Sequence, residues 1–489
     1  MDERKDLWLI AQKVADILWI IMLALLPITS MPAIARLLGS DTVAAPSILV
    51  VFCLLLIWFI PYLLRRGRMV KESIPLLVFV IAALVSTLLA NFQVIPPYKD
   101  IPYLSNSVEA FMTLLIGVVF FLVTSSYLRD EKKAILTLRV INWSAMVMFL
   151  WTACQVVAWH GFGHYPAWMF DLQGLISSRV LYRQRVNGLA LEPSWFAHQL
   201  NMVYLPFWLA ATIKGFSAFK KRLGFLTVEN ILLMIGIASL FLTLSRVGWL
   251  GFLLMFTFLL VKLHSYLVRR VSAALEKKQA QVARKHEKRL RIGISIFFMI
   301  VYVLIIAIAL YVFSKIDPRM ESLFDFSVGK DNPILAYVSE LSFGERVVYW
   351  LAGWNVFSEH PLFGVGLGNA GFYFPKAITP YGWTLIEVRH LTYRTSILLN
   401  VKSLWARLLA ETGLVGFAIF CAWLYSLGRK FVQKTEIKGS IQGVCGLSGV
   451  FVLCALLAEG FSIDSFAMPY MWVALGLAAA DLALPAREG

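Results

Sequence analysis

Seven arginines frame the chemistry of this chain: Arg179, Arg183, Arg185, Arg246, Arg346, Arg389 and Arg394. Each lies in or beside a segment where an apolar, membrane-type chain has no topological need for positive charge. A guanidinium is planar, stays charged, and grips phosphate oxygens at two points. It suits a site where negative charge develops on a leaving group. A carboxylate stands close by in Arg183-Gln-Arg185-Val-Asn-Gly-Leu-Ala-Leu-Glu192-Pro-Ser. Pro193 suits the first turn of a helix, and Glu192 suits its start, where backbone N–H groups favour an anion. Glu192 beside Arg185 reads as a general base next to an anion-binding cation. The same two residues also suit a structural pair capping the helix, and both readings stay open.

Arg246 sits in Leu244-Ser-Arg-Val-Gly248, a turn between two apolar stretches. The turn is so tight that Arg246 is expected at or just within the membrane boundary. An unpaired charge held deep there costs up to roughly 2.5–3.5 kcal/mol. The alternatives are snorkelling to the interface or a guanidinium facing a polar cavity, and the second is favoured. Arg185 and Arg246 are the first candidates for binding a diphosphate, with Arg183 and Arg346 beside them. His360 opens His-Pro-Leu-Phe-Gly-Val-Gly-Leu-Gly-Asn369 and is an alternative base. Its glycines superficially resemble a phosphate loop, but the following Lys and the preceding strand are missing. A tight turn bringing backbone close to a ligand is the better expectation. Lys402 and Ser403 stand at the outer mouth of a helix in which Arg407 and Glu411 are four apart and share a face. Lys402 is expected to bind anion, since it becomes a base only with a strongly depressed pKa. Arg407 and Glu411 could simply neutralise each other. The sequence has no Asp-x-Asp on the outer side, no HExxH and no GxSxG, so neither a metal-dependent transferase nor a serine hydrolase is supported. No metal and no cofactor are expected.

These residues need a scaffold, and the composition names its class. Hydrophobic residues make up 59% of the 489 and charged residues 15%, the balance of a polytopic helical membrane protein. Apolar stretches long enough to span fall near 15–38, 47–64, 73–92, 108–128, 134–158, 195–213, 226–243, 247–268, 293–313, 404–426, 441–460 and 465–484. The expected fold is all-α with about twelve transmembrane helices. Basic residues crowd into the loops after even-numbered stretches: Arg65, Arg66, Arg68 and Lys71; Arg129, Lys132 and Lys133; Lys214, Lys220, Lys221 and Arg222; a run from Lys262 to Arg291; then Arg429, Lys430, Lys434 and Lys438. That bias makes those loops and both termini cytoplasmic. The first stretch is too long for a removable signal peptide. The net charge of +16 is then mostly loop charge, and nucleic-acid binding is not needed to explain it. All five cysteines lie inside apolar stretches, so neither a disulfide nor a zinc site is inferred.

Three units follow: residues 1–313 with nine spans and an outer loop at 161–193, residues 314–403 as a large helical outer loop, and residues 404–489 with three spans. A loop of that size is expected to hold structure and function. Within it, RVVYWLAGWNVFSEH (346–360) has helical spacing, with Val347, Trp350, Leu351, Trp354 and Val356 near one face. Residues 271–291 read as a charged helix extending the eighth span along anionic headgroups.

At these residues the chain resembles the O-antigen ligase and polymerase superfamily. The likeness rests on Arg-x-x-Gly before a Pro-containing helix start (185–193), Ser-Arg-x-Gly-Trp (245–249), EHPLFGVGLGN (359–369) and AETGLVG (410–416). It implies a bacterial inner-membrane glycosyltransferase that uses undecaprenyl-diphosphate-linked glycans and acts on the extracytoplasmic face. In the ligases a His followed by Asn, Ser or Gln precedes nine residues and Gly-x-x-Gly. Here Lys402 and Ser403 hold those places before Gly413 and Gly416. Glu192-Pro-Ser looks like the form found in polymerases of exopolysaccharide and capsule units. Both features tilt the expectation toward a polymerase joining lipid-linked repeat units. A ligase moving glycan onto lipid A–core or protein, and a lipid-linked saccharide transporter, are the alternatives. Expected partners are the lipid-linked donor, a glycan acceptor and membrane lipids, with a chain-length regulator and a flippase as candidates.

Overall fold

A chain this apolar must satisfy its backbone polar groups within each segment, which leaves helices as the practical element. The computed structural model describes residues 3–219, 222, 224, 226–278, 292–304, 307–308, 311, 344–437 and 440–482. Among them no strand is present. In chain order the helices begin α1 Glu3–Ala24, α2 Pro32–Leu38, α3 Pro46–Leu64, α4 Ser73–Ala90, α5 Tyr103–Tyr127, α6 Glu131–Gly161, α7 Ala167–Ile176 and α8 193–214. They continue α9 Val228–Leu242, α10 Arg246–Lys278, α11 Ile292–Leu304, α12 Gly344–Glu359, α13 Ala370–Ala377, α14 Ile386–Tyr393, α15 Leu404–Thr435, α16 Ile441–Glu459 and α17 Pro469–Ala479.

Eight of these are long and apolar enough to cross a membrane: α1, α3, α4, α5, α6, α10, α15 and α16. Helices α9, α11 and α17 are apolar but shorter. Helix α8 passes from α to π geometry at Leu200–Tyr204 and back. Each apolar stretch read from the sequence overlaps one of these helices, but the first, 15–38, is corrected: α1 ends at Ala24, and the chain turns before the short α2 at Pro32–Leu38. Parts of three expected features lie outside the described residues: the far end of the ninth stretch, the basic residues 279–291, and residues 314–343 of the large loop. The described start of the charged segment does continue the eighth stretch, since α10 runs unbroken to Lys278.

The bundle is held by interlocking aromatics and by glycines that admit them. Trp19 stacks on Tyr127 at 4.5 Å, and Trp423 stacks on Trp472 at 5.5 Å. Gly117 lies against Trp472, and Gly449 against Phe431 and Ala478, so α5–α17 and α15–α16 approach closely. Polar bonds mark the two ends of the bundle. At one, Lys430 pairs with Glu72 at 2.7 Å, Lys133 with Asp16 at 2.9 Å, and Lys214 donates to the Thr435 carbonyl. At the other, the Ser178 N–H donates to the Ser30 carbonyl at 3.1 Å, and Asn106 donates to the Gly368 carbonyl at 2.6 Å.

A second core forms at that other end. Val348, Tyr349, Ala352, Val356, Phe372, Phe374 and Val388 are buried together, with Ile95, Tyr98 and Ile101 packed against them. The face expected for 346–360 needs correcting. Helix α12 buries Val348, Tyr349, Ala352 and Val356, while Leu351 and Trp354 are exposed. Periodicity located the helix but not its inward face, because Tyr349 and two small residues fit the lobe core better than the bulkier tryptophans. The loop 161–193 also carries structure of its own, the helix α7.

Candidate functional site

The cationic pair Arg185 and Arg246 meets at one turn. The chain at 185–186 lies along residues 242–243: Val186 N–H donates to the Leu242 carbonyl at 3.2 Å, and Arg185 Nε to the Thr243 carbonyl at 2.9 Å. Leu244 takes the left-handed region at φ 49°, which reverses the chain so that α10 begins on Arg246. Ser245 Oγ accepts from Gly248 N–H at 3.3 Å and so caps that first turn. Gly248 is required there by contact. A Cβ would stand 2.6 Å from the Ala197 Cβ of α8. The Ser-Arg-x-Gly spacing is therefore a cap, a cation and a close crossing in four residues. Arg246 is half-buried at the helix start.

Glu192 occupies the N-cap of α8 in extended conformation, with Pro193 at the first helical position, as its sequence suggested. Its side chain makes no capping bond. Oε1 instead pairs with Arg179 at 2.6 Å, and Oε2 accepts from the Ser194 hydroxyl at 3.3 Å. Burial alone would depress the Arg179 pKa, but the Tyr182 hydroxyl and the Glu192 carboxylate outweigh it and hold it above its ordinary value. Arg179 also lines a cavity of about 590 Å³ whose wall includes Arg36 and Asp41. Arg36 was not among the expected site residues, and its place in the short helix α2 gave no local signal. Arg183 is exposed on the same loop.

The glycine run and the AETGLVG run explain each other. Gly364, Gly366 and Gly368 all have positive φ. Val365 N–H donates to the Ala410 carbonyl at 3.0 Å and Gly366 N–H to the Glu411 carbonyl at 2.9 Å. In return Leu414 N–H donates to the Pro361 carbonyl at 2.8 Å, and Val415 N–H to that of Leu362 at 3.2 Å. Helix α15 breaks at Gly413, whose φ is 64° and whose Cβ would lie 2.3 Å from the Leu362 carbonyl oxygen. These glycines press the backbone onto three helices, Gly364 onto α15, Gly366 onto α4 and Gly368 onto α5. Gly413→Ala is expected to destabilise the protein by more than the roughly 1–2 kcal/mol of a left-handed Cβ conformation. A lowered thermal unfolding midpoint in detergent is the readout. An unchanged midpoint would mean the break in α15 relaxes without cost.

His360 ends this helix–loop junction with its ring edge-on to Tyr373 at 5.3 Å. Lys402 has φ 53°, places Nζ 2.5 Å from Glu387 Oε1 and lies 4.6 Å over the Tyr349 ring. Its ammonium is therefore engaged by a carboxylate of the chain itself. Burial, then Glu387 and Glu345, push the Tyr349 pKa well up, which keeps that hydroxyl neutral. Ser403 caps α15 by accepting from Ala406 N–H. Arg346 reaches the turn after α16, donating to Ser462 Oγ at 2.9 Å. Arg389 and Arg394 sit at α14 and its end, with Arg389 donating to the Thr384 carbonyl at 3.4 Å.

The local sequence undervalues the Arg407–Glu411 pair. Arg407 Nε meets Glu411 Oε2 at 2.8 Å, and its guanidinium also reaches the Asp464 carbonyl. Both side chains are buried, at 13% and 6% exposure. Together with Trp195 they line a cavity of about 250 Å³. Arg407→Ala should destabilise by about 3–5 kcal/mol, because a buried carboxylate loses its counter-charge. Arg407→Leu combined with Glu411→Leu should recover much of that loss in the same melting assay. If the double variant melts no higher than the single, the pair is not the source of the loss. Among the described residues no cluster of three or more His, Cys, Asp or Glu could hold a metal ion.

Residues 231–421 match the O-antigen ligase family model (Wzy_C). That segment includes Arg246, Arg346, His360, Lys402, Arg407 and Glu411, while Arg179, Arg185 and Glu192 precede it. No curated protein matches the chain. The match over residues 231–421, in a chain with eight described helices long and apolar enough to cross a membrane, supports a likeness to the O-antigen ligase/polymerase superfamily.

Proposed function

We propose that the chain is a polysaccharide polymerase that joins undecaprenyl-diphosphate-linked repeat units on the outer face of the cytoplasmic membrane. The observation that carries this reading is the turn where Arg185 grips the Thr243 carbonyl three residues before Arg246, inside or beside the ligase-type domain. A guanidinium bonded to the Thr243 carbonyl, with a second arginine three residues further on, suits a diphosphate. The acceptor hydroxyl oxygen attacks the anomeric carbon of the donor. The bond from that carbon to the diphosphate oxygen breaks, and its electron pair leaves on the diphosphate. The hydroxyl proton passes to the Glu192 carboxylate. Arg185 and Arg246 meet the charge that grows on the leaving group, with Arg346 as a further cation. A single displacement of this kind inverts the anomeric centre.

Arg179 has a supporting part. It pairs with Glu192 Oε1 at 2.6 Å and so orients the carboxylate. Lys402 has Glu387 as its partner, and it serves this reading as an anion-binding or positioning cation rather than as the base. His360 lies edge-on to Tyr373 and is the weaker candidate for proton transfer. Membrane anchoring of both substrates supplies proximity. The family model's own description favours a second reading, a ligase with lipid A–core or protein as acceptor.

Release of undecaprenyl diphosphate tests the reaction type. Purified protein in liposomes, given a lipid-linked repeat unit alone, is expected to free one diphosphate carrier for each bond formed. Release only after addition of lipid A–core or an acceptor protein would favour the ligase. Movement of the lipid-linked saccharide across the bilayer with no release would point to a transporter and overturn the transferase reading.

A further inference from the structure

We propose that the cavity bounded by α5, α15, the start of α8 and the turn at 462–465 is the acceptor subsite, and that it takes a single uncharged saccharide ring. The inference deepens the transferase reading and rests on it for the word acceptor, though not for the binding itself. Four ionisable groups line the cavity: Glu109, Arg407, Glu411 and Asp464. The one cation is already held by Glu411 Oε2 and the Asp464 carbonyl. The remaining charge is acidic, so a diphosphate or a uronic acid is repelled. A ring carrying hydroxyl groups is welcome, because carboxylates accept O–H donors strongly.

Asp464 adds a specific demand. Its Oδ2 is buried and has no hydrogen-bond partner among the described residues. Asp464 also lines the cavity, where its carboxylate adds acceptor capacity for a sugar hydroxyl. Trp195 supplies the opposite kind of surface, an aromatic wall for the C–H face of a ring. It lies in the first turn of α8, three residues after the N-cap Glu192. A ring seated against Trp195 is thereby held at the helix start that carries the proposed base. The size is selective too. At about 250 Å³ the cavity is smaller than the roughly 300–1,000 Å³ that drug-sized ligands occupy, so one ring enters and the rest of the glycan stays outside.

The site thus differs in sign from the cationic turn at Arg185 and Arg246. The donor's diphosphate is drawn to one and excluded from the other, so the two substrates cannot exchange places.

Saturation-transfer NMR on the full-length protein in detergent tests this directly. The probes are methyl glycosides of neutral hexoses and N-acetylhexosamines, with methyl glucuronoside as the anionic comparison. Neutral glycosides should bind the unaltered protein and the glucuronoside should not. Asp464→Asn and, separately, Trp195→Ala should each weaken that binding by more than about tenfold, the scale of a lost contact to a charged group or of an aromatic wall. Gel filtration and melting curves establish that each variant is folded. Failure of every neutral glycoside to bind, equal binding in both variants, or equal binding of the glucuronoside overturns the subsite. Binding that depends on Asp464, in a protein that transfers nothing from a lipid-linked donor, would leave the subsite standing and sink the transferase reading alone.

Discussion

Arg246→Ala lowers the rate of glycan transfer by about 10²–10³ or more, the cost of removing a preorganised donor from a developing oxyanion. The protein still folds and inserts. Arg246 begins α10, where Ser245 Oγ already caps the first turn by accepting from Gly248 N–H and Gly248 already fixes the crossing with Ala197. Those contacts do not involve the guanidinium and are expected to persist in the variant. Arg246→Lys is expected to recover only a small part of the rate, because an ammonium cannot offer the two-point fork. Quantifying undecaprenyl diphosphate release from matched amounts of each purified variant checks both expectations. Full activity in Arg246→Ala would remove this residue from the mechanism.

Glu192→Gln is the second large effect, a loss of about 10²–10⁴ in the same assay if the carboxylate takes the acceptor's proton. The amide preserves shape and can still face Arg179, so the helix start at Pro193 should survive. The comparison variant is Arg179→Ala, which removes the partner at 2.6 Å without removing the base. It should weaken the rate by less than Glu192→Gln does. If Lys402→Ala or His360→Ala abolishes transfer while Glu192→Gln is active, the base has been assigned to the wrong residue.

Residues whose roles are set by their immediate neighbours are legible in the sequence. Pro193 fixes a helix start, and Glu192 is found at its N-cap. Ser403 reads as standing at a helix entry, and there it caps α15. Arg407 and Glu411 are four apart and do pair. Contacts made across long sequence separations are not legible in the same way. Glu192 meets Arg179 thirteen positions earlier, while the nearer Arg185 is bonded to the Thr243 carbonyl. Glycine spacing in 364–368 says that the backbone turns, but nothing in it says that the turn docks on α15. Asp464 joins Arg407 from 57 residues away, so the cavity they share has no linear signature. Helix α12 shows a further limit. Its apolar residues surround most of the helix, and only packing against Phe372, Phe374 and Val388 decides that Tyr349 points inward and Trp354 outward.

Lys402, which stands where the resemblance implies a histidine in the ligases, is held between Glu387 and the Tyr349 ring. A side chain so engaged is poorly placed to take a proton, which favours the proposal of Glu192, outside the matched segment, as the base.

The most direct test of polymerisation uses purified protein in liposomes with a lipid-linked repeat unit as the only saccharide, followed by gel separation of the products. A ladder of lengthening lipid-linked chains is the predicted result, since one substrate then serves as donor and acceptor. Absence of a ladder, with a single transfer appearing once lipid A–core or an acceptor protein is supplied, would contradict it.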